Sequence, residues 1–142
     1  MIRISKLTDY AMLILNYMAH HPEHVLSTSI IAEKLYLNTP TVSKILKILT
    51  DAKLVISHRG AEGGYTIALP GSKISLMDII VAMEGEIAMV SCCSKEKACQ
   101  VKHSCTMRNN WQLINKKVQS LLAKFTIIEM SNPLSLSGFD HV

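Results

Sequence analysis

At 142 residues, of which 49% are hydrophobic, the chain is long enough to bury the core of one compact domain and to carry a further peripheral element. Its longest early apolar run, residues 11–15, is too short for a membrane span or a signal-peptide core, which predicts a globular cytoplasmic protein without a membrane partner. The net charge of +4 is compatible with a nucleic-acid partner, although many basic surfaces are simply solvated.

Two helices are predicted at the start of the chain. Apolar residues recur at helical spacing from Leu7 to Met18, and Pro22 cannot continue a helix, so the first helix is predicted over residues 5–19. Ser27 has a side chain suited to cap a second, short helix, which is predicted to end near Asn38.

A third helix is predicted to begin with Thr39 as its N-cap and Pro40 at the first helical position, where a missing N–H group costs nothing. One face of this helix is apolar. The opposite face carries Pro40, Lys44, Lys47 and Asp51, flanked by Thr41 and Ser43, so hydroxyl and basic side chains predominate. Such groups donate to phosphates and base edges, so this face suits a helix that enters the major groove of DNA. An ordinary amphipathic surface helix is the alternative interpretation.

A β-hairpin is predicted next. Residues 54–59 and 65–69 alternate like strands, and the G-A-E-G-G sequence between them contains glycines that permit positive backbone angles. Three helices followed by such a hairpin are typical of a winged helix-turn-helix domain, which we place at residues 1–84. Arg59 lies at the base of the wing, where a guanidinium group can reach a narrow minor groove.

The second half of the chain is also predicted to be helical. Ser75 and Asp78 form the pattern of a capping box for a helix that Gly85 ends. Farther along, apolar residues recur every three or four positions from Trp111 to Phe125. We interpret residues 106–130 as a dimerisation helix region, because helix-turn-helix proteins bind two-fold operators as dimers; packing of this stripe on its own domain is the alternative. Residues 131–142 are predicted to be a flexible tail.

All four cysteines lie in one segment, at positions 92, 93, 99 and 105. Clustered cysteines in a cytoplasmic protein are more often metal ligands than disulfide partners. The spacing C-x5-C-x5-C of Cys93, Cys99 and Cys105 is wider than that of ordinary zinc knuckles, but a loop can fold such thiolates around one centre. Soft thiolates favour an iron-sulfur cluster or zinc, so residues 85–105 are predicted to form a metal-binding loop. Four unrelated small buried residues are the alternative.

Four motifs together resemble the Rrf family of winged-helix transcription regulators. They are R-I-S-K-L-T-D-Y-A near the start, T-V-S-K-I-L-K-I-L in the third helix, S-H-R-G-A-E-G-G-Y-T-I-A in the wing, and the cysteine segment followed by C-T-M-R-N-N-W-Q. Within the family, the chain is most similar to regulators of the SUF system of iron-sulfur cluster assembly. The resemblance implies a homodimeric repressor or dual regulator that binds a pseudo-palindromic DNA operator, with an affinity set by a 2Fe-2S or 4Fe-4S cluster. The expected DNA-contacting residues are Thr39, Thr41, Ser43, Lys44, Lys47, Arg59 and Tyr65.

Three cysteine ligands leave one coordination position open. In one relative the fourth ligand is a histidine three residues beyond the last cysteine, but Arg108 occupies that position here. In a nitric-oxide-sensing relative it is an aspartate from the first helix of the partner chain, and the matching K-L-T-D-Y motif implies this role for Asp9. Cys92 and His103 are the local alternatives, and Asp9 also has an interpretation as an ordinary polar residue near a helix start.

No enzyme is predicted, because the histidines form no nucleophile–base pattern and no small-molecule substrate is expected. The main alternative function is a winged-helix repressor with other targets, which zinc stabilises or which senses nitric oxide or redox state. Cysteine spacing alone does not distinguish zinc from iron.

Overall fold

The computed structural model describes residues 3–95, 99–101 and 103–134, which form five α-helices and one antiparallel hairpin. The elements are α1 (Lys6–Ala19), α2 (Thr28–Leu35), α3 (Thr39–Asp51), β1 (Val55–His58), β2 (Gly64–Ile67), α4 (Leu76–Glu84) and α5 (Arg108–Lys124). This architecture confirms the predicted fold, a mainly helical winged helix-turn-helix with a long C-terminal helix. None of the described helices has the length and apolar character needed to cross a membrane.

Side-chain caps fix where the helices begin. The Ser27 hydroxyl accepts the Ile30 N–H at the start of α2, as predicted. At α4 both bonds of the capping box are present, since the Ser75 hydroxyl accepts the Asp78 N–H and the Asp78 carboxylate accepts the Ser75 N–H. Each cap satisfies backbone donors that the first helical turn leaves without partners.

The prediction that Thr39 is the N-cap of α3 was wrong. Asn38 is the N-cap, with its side-chain oxygen accepting the Thr41 N–H at 2.9 Å, and Thr39 and Pro40 lie in the first turn. Asparagine is at least as favourable as threonine at this position, and proline is tolerated throughout the first turn because its N–H would have no helical partner. Helix α2 also ends earlier than predicted, at Leu35.

The core lies where α1, α3 and α4 meet. Its fully buried side chains include Ile14, Leu15, Ile45, Leu46, Leu49 and Ile79. The chain returns to this core after α5: the Leu76 N–H donates to the Phe125 carbonyl, and the Ile127 N–H donates to the Ile74 carbonyl. Ile127, only 2% exposed, is therefore part of the core of the winged domain although it follows the last long helix.

The predicted tail is only partly described, because residues 135–142 lie outside the described residues. Within the described part, the 3-10 turn Glu129–Ser131 packs back on the first helix, and the Ser131 hydroxyl donates to the Asn16 side chain. The start of this segment is thus attached to α1.

The wing is attached to the segment before α2. Strands β1 and β2 pair with each other, and Leu26 and Tyr65 exchange two backbone hydrogen bonds of 2.9 Å. A Cβ atom at Gly64 would lie 2.6 Å from the Leu26 carbonyl oxygen, so only glycine allows this approach. The position of the wing relative to the helix-turn-helix is therefore fixed by backbone contacts.

The cap of α3 can be tested by substitution. We expect Asn38→Ala to lower the free energy of unfolding by about 1 kcal/mol, because the Thr41 N–H loses its acceptor. Thr39→Ala is the matched control and should change it by less than about 0.5 kcal/mol. Urea unfolding followed by circular dichroism measures both, and a larger loss in the Thr39 variant would restore threonine as the cap.

Candidate nucleic-acid interface and cysteine loop

Helix α3 has one buried and one exposed face. Val42, Ile45, Leu46 and Leu49 are fully buried. On the opposite side Thr39, Ser43, Lys44 and Lys47 are exposed, and Thr41 is half-buried. The apolar face therefore holds the helix against the core, while a basic and hydroxyl-rich face is open to a partner.

The wing presents a further cation, Arg59. Arg59 is exposed directly after β1, and Gly60, with φ +115°, begins the turn to β2. Across the strands, the His58 ring nitrogen Nε2 lies 2.9 Å from the Thr66 hydroxyl. Tyr65 differs from Arg59 in being half-buried and packed against the core.

Glu84, at the end of α4, holds the N-terminus of α1. Its carboxylate accepts the Ser5 N–H at 2.9 Å and the Thr8 hydroxyl. The pKa of Glu84 is lowered by the side chain of Ser5, then by that of Thr8 and then by the Ser5 N–H, and slight burial opposes this shift. The bonds span more than 70 positions of sequence and tie the end of α4 to the first helix.

Glu86, two residues later, holds the segment that carries the cysteines. Its carboxylate accepts the Lys95 N–H at 2.8 Å and the Ser94 hydroxyl at 3.2 Å. Gly85 lies between the two glutamates with φ +84°, and no other atoms surround the position that a Cβ would take. Two carboxylates on either side of one glycine thus contact the first helix and the cysteine segment.

Helix α5 holds the same segment through three carboxamides on one face. The Asn115 side chain, 5% exposed, accepts the Met89 N–H at 3.0 Å and donates to the Ile87 carbonyl at 3.1 Å. Gln119 also donates to the Ile87 carbonyl, at 2.9 Å, and Gln112 donates to the Cys92 carbonyl at 3.3 Å. Irregular backbone requires such partners, because its peptide groups have none in a helix or sheet.

The first two cysteines lie in the 3-10 turn Ser91–Cys93, beside a cavity of about 630 Å³ between α4, this turn and α5. The Cys93 thiol donates to the Trp111 carbonyl at 3.5 Å. The pKa of Cys92 is raised, first by burial and then by the neighbouring Cys93 and, more weakly, Cys99. Cys92 and Cys93 are adjacent in this turn, and both line the cavity.

The other expected ligands are less closely grouped. Cys105 is half-buried before α5, where its N–H donates to the Val101 carbonyl, and His103 is exposed. Asp9 is exposed on the first turns of α1, next to the buried Thr8 that contacts Glu84. Among the described residues, no three histidine, cysteine or acidic side chains are gathered closely enough to hold a metal ion.

A sequence profile of the Rrf2 family, described as iron-dependent transcriptional regulators, matches residues 4–133. The chain belongs to the Rrf2 family. The resemblance inferred from its motifs is thereby confirmed at the level of the family. This Rrf2 protein is a DNA-binding transcription regulator and not an enzyme.

Individual relatives agree with this assignment. The HTH-type transcriptional regulator NsrR of Oceanobacillus iheyensis is 28% identical over 130 residues, or 90% of this chain and 84% of that protein. Protein aau3 of Rhizobium meliloti is 34% identical over 105 residues, 73% of this chain and 68% of that protein. The structure of CymR, the global cysteine regulator of B. subtilis, is similar with a TM-score of 0.70 and 26% identity, covering 92% of this chain and 97% of that one.

Sequence reasoning missed the residues that position the cysteine segment of this Rrf2 protein: Glu84, Glu86, Gln112, Asn115 and Gln119. A signal for the last three was present, since carboxamides spaced three and four residues apart share one face of a helix. It was overlooked because only the apolar residues of α5 were considered. The two glutamates had no such signal, because their partners lie far away in sequence.

The contact between Glu84 and α1 generates a pH-dependent prediction. Hydrogen bonding lowers the pKa of Glu84 in the folded protein below the ordinary value of 4.5. The ionised Glu84 therefore stabilises the folded state fully above pH 4.5, and this stabilisation is lost as the pH falls through the lowered pKa. We expect Glu84→Gln to reduce the free energy of unfolding at neutral pH by at most about 1 kcal/mol, since the group is exposed. The difference from wild type should shrink in acid.

Urea unfolding from neutral to acidic pH measures this difference. Glu23→Gln, at an exposed position on the surface, is the control and should follow the wild type at each pH. A Glu84→Gln protein as stable as wild type at neutral pH would remove the stabilising role of this contact.

Proposed function

We propose that this chain is an iron-sulfur-cluster-sensing regulator of SUF-type cluster assembly genes, acting as a cytoplasmic homodimer on a pseudo-palindromic operator. The observation that carries the proposal is the pair of contacts made by Glu84 and Glu86, which join the cysteine segment to the first helix of the DNA-binding domain. The family description as iron-dependent regulators supports the choice of metal.

The proposed DNA contacts come from α3 and the wing, within a DNA-binding domain of residues 1–84. Lys44 and Lys47 are exposed on the face of α3 that points away from the core, beside the hydroxyls of Thr39, Thr41 and Ser43. This combination suits phosphate binding and donation to base edges. Arg59 and Tyr65 would contribute from the wing, where Arg59 is the more accessible.

The donor set of residues 85–105 fits an iron-sulfur cluster in its chemistry. Cys92 and Cys93 supply soft sulfur donors beside the cavity, and Cys99 and Cys105 follow in the same segment. Cys93, Cys99 and Cys105 would be the ligands that hold the group. A bound cluster would supply an iron centre that is sensitive to oxygen, nitric oxide and iron supply.

For the fourth ligand we propose Asp9 of the partner chain. Its carboxylate is exposed on α1, one residue after Thr8, so a ligand role there would draw on the same helix that Glu84 holds. Cys92 and His103 are the local alternatives, and both lie in the cysteine segment itself.

The homodimer is proposed to form through α5, within residues 106–130. The face of α5 that carries Gln112, Asn115 and Gln119 is occupied by its own chain, whereas Leu113 is 56% and Ile114 43% exposed. Apolar side chains that project from a long helix suit a matching helix of a second copy. Such a dimer would present two copies of α3 to successive major grooves, about 34 Å apart.

Regulation would then follow from the chain's own contacts. Ligation changes the position of the cysteine segment, and Glu86 moves with Ser94 and Lys95. Because Glu84 is separated from Glu86 only by Gly85, α1 would be displaced in turn, and with it the spacing of the two α3 helices. A coupling of about 1 to 3 kcal/mol would change DNA affinity by about five- to hundredfold.

The second candidate is a zinc-stabilised repressor, or one that senses nitric oxide or redox state, with other target genes. The adjacent Cys92 and Cys93 in the 3-10 turn also suit thiol chemistry without iron. Visible absorption of the anaerobically purified protein separates the candidates: a brown sample supports the cluster, and a colourless sample with stoichiometric zinc supports the alternative.

The DNA contacts predict a specific salt dependence. Lys44→Ala and Lys47→Ala should each reduce the slope of log affinity against log salt concentration by about 1, because each removes one phosphate contact. The loss caused by Arg59→Ala should instead depend on operator sequence, since minor-groove width varies with sequence. Fluorescence anisotropy measures these affinities, with Lys73→Ala, an exposed lysine away from α3, as the control. Unchanged binding in all three variants would remove α3 and the wing as the contact surface.

We expect the cysteines to be required for metal binding but not for dimerisation. Cys93→Ala, Cys99→Ala and Cys105→Ala should each abolish the visible absorption of anaerobic protein, while analytical ultracentrifugation still finds a dimer, because α5 supplies the dimer contacts. Asp9→Ala, measured beside Cys92→Ala and His103→Ala, identifies the fourth ligand by loss of cluster. An Asp9 variant that keeps both its cluster and wild-type DNA affinity would eliminate the cross-chain ligand.

A further inference from the structure

Tyr36 is the most exposed large apolar side chain in the described part of the protein. It lies between α2 and α3, and 96% of its surface is accessible. Aromatic side chains stabilise a core through their large buried area, and Tyr36 provides almost none, so its ring and hydroxyl are available to a partner. The neighbouring Leu37, in contrast, packs against the core.

The backbone at Tyr36 also disfavours tyrosine. Its φ of 54° and ψ of 36° are left-handed, a conformation in which a Cβ atom is crowded and glycine is preferred. The end of α2 requires this conformation: the Tyr36 N–H donates to the Glu33 carbonyl at 3.3 Å, and the Leu37 N–H donates to the Ala32 carbonyl at 2.9 Å. A tyrosine is therefore held where the backbone favours glycine and where its ring gains no packing.

The neighbours of Tyr36 in the chain favour DNA as the partner. It is followed within three residues by the exposed Thr39, the first residue of α3, and preceded by the exposed Lys34 at the end of α2. Tyr36 thus lies in the connection between α2 and the helix that carries the basic, hydroxyl-rich face. DNA phosphates carry the complementary charge, and tyrosine hydroxyls are among the groups that donate to phosphate oxygens.

We infer that Tyr36 is a DNA-binding residue whose hydroxyl donates a hydrogen bond to a backbone phosphate beside the start of α3. Such a contact carries no sequence information itself but fixes how deeply and at which register α3 enters the groove. The inference rests on the proposed function, because it requires α3 to be the helix that meets DNA.

The test uses two substitutions in the full-length protein and a duplex selected by the wild type from a random-sequence pool. Tyr36→Gly should raise the melting temperature by a few degrees, because the strained backbone is relieved, and should weaken DNA binding by about tenfold, as expected for loss of a hydrogen bond to a charged group. Tyr36→Phe should weaken binding to a similar extent without the gain in stability. In both variants the slope of log affinity against log salt should match the wild type, because tyrosine is uncharged and displaces no counterion.

Opposite changes in stability and affinity are an outcome that a purely structural role would not produce. Wild-type affinity in Tyr36→Gly would overturn the inference, and wild-type affinity in Tyr36→Phe would overturn the hydroxyl contact. Lys44→Ala, measured on the same duplex, separates failure of the Tyr36 contact from failure of the proposed α3 interface. If Lys44→Ala weakens binding and the Tyr36 variants do not, α3 remains the DNA-binding helix and only the Tyr36 contact is refuted.

Discussion

The segment after α4 has little regular secondary structure, and its peptide groups must therefore find partners elsewhere. Helix α5 provides them, since Asn115 and Gln119 bind the backbone of Ile87 and Met89, and Gln112 binds that of Cys92. An unpaired buried peptide group costs about 1 to 3 kcal/mol, so these bonds select one path for the chain. The position of the cysteines, the packing of α5 on α4 and the accessible face of α5 all depend on that path.

The strength of these attachments is compatible with the proposed regulation. Each hydrogen bond contributes about 0.5 to 1.5 kcal/mol net, and a bond to a carboxylate somewhat more. The contacts of Glu86 with Ser94 and Lys95 are thus comparable to the coupling energies of about 1 to 3 kcal/mol that link sites in allosteric proteins. A segment buried by a large apolar surface could not be repositioned at this cost. Polar attachment gives the segment a defined position, and in the proposed mechanism a modest input of free energy would displace it.

Local patterns in the sequence predicted the parts of the fold that depend on neighbouring residues. The buried face of α3 followed from its period, and the caps at Ser27 and Ser75 from residue type, whereas Thr39 failed because Asn38 offered an equally good cap one position earlier. Contacts between distant residues leave no periodic signal in the sequence. For this reason neither the burial of Ile127 in the core nor the hydrogen bonds of Glu84 to α1 could be predicted. Of the candidate site, residue types and exposed faces could be predicted, but not the restraints that hold the cysteine segment.

The carboxamides of α5 and the thiols of the preceding segment belong to different stretches of chain. The α5 carboxamides bind backbone atoms, which every amino acid has. These hydrogen bonds therefore do not depend on which side chains the segment carries. The hydrogen bonds that position the segment and the thiols that it carries are therefore independent features of the sequence. Other side chains can therefore occupy this segment without redesign of the scaffold, and a protein engineer can graft a foreign sequence between the same contacts.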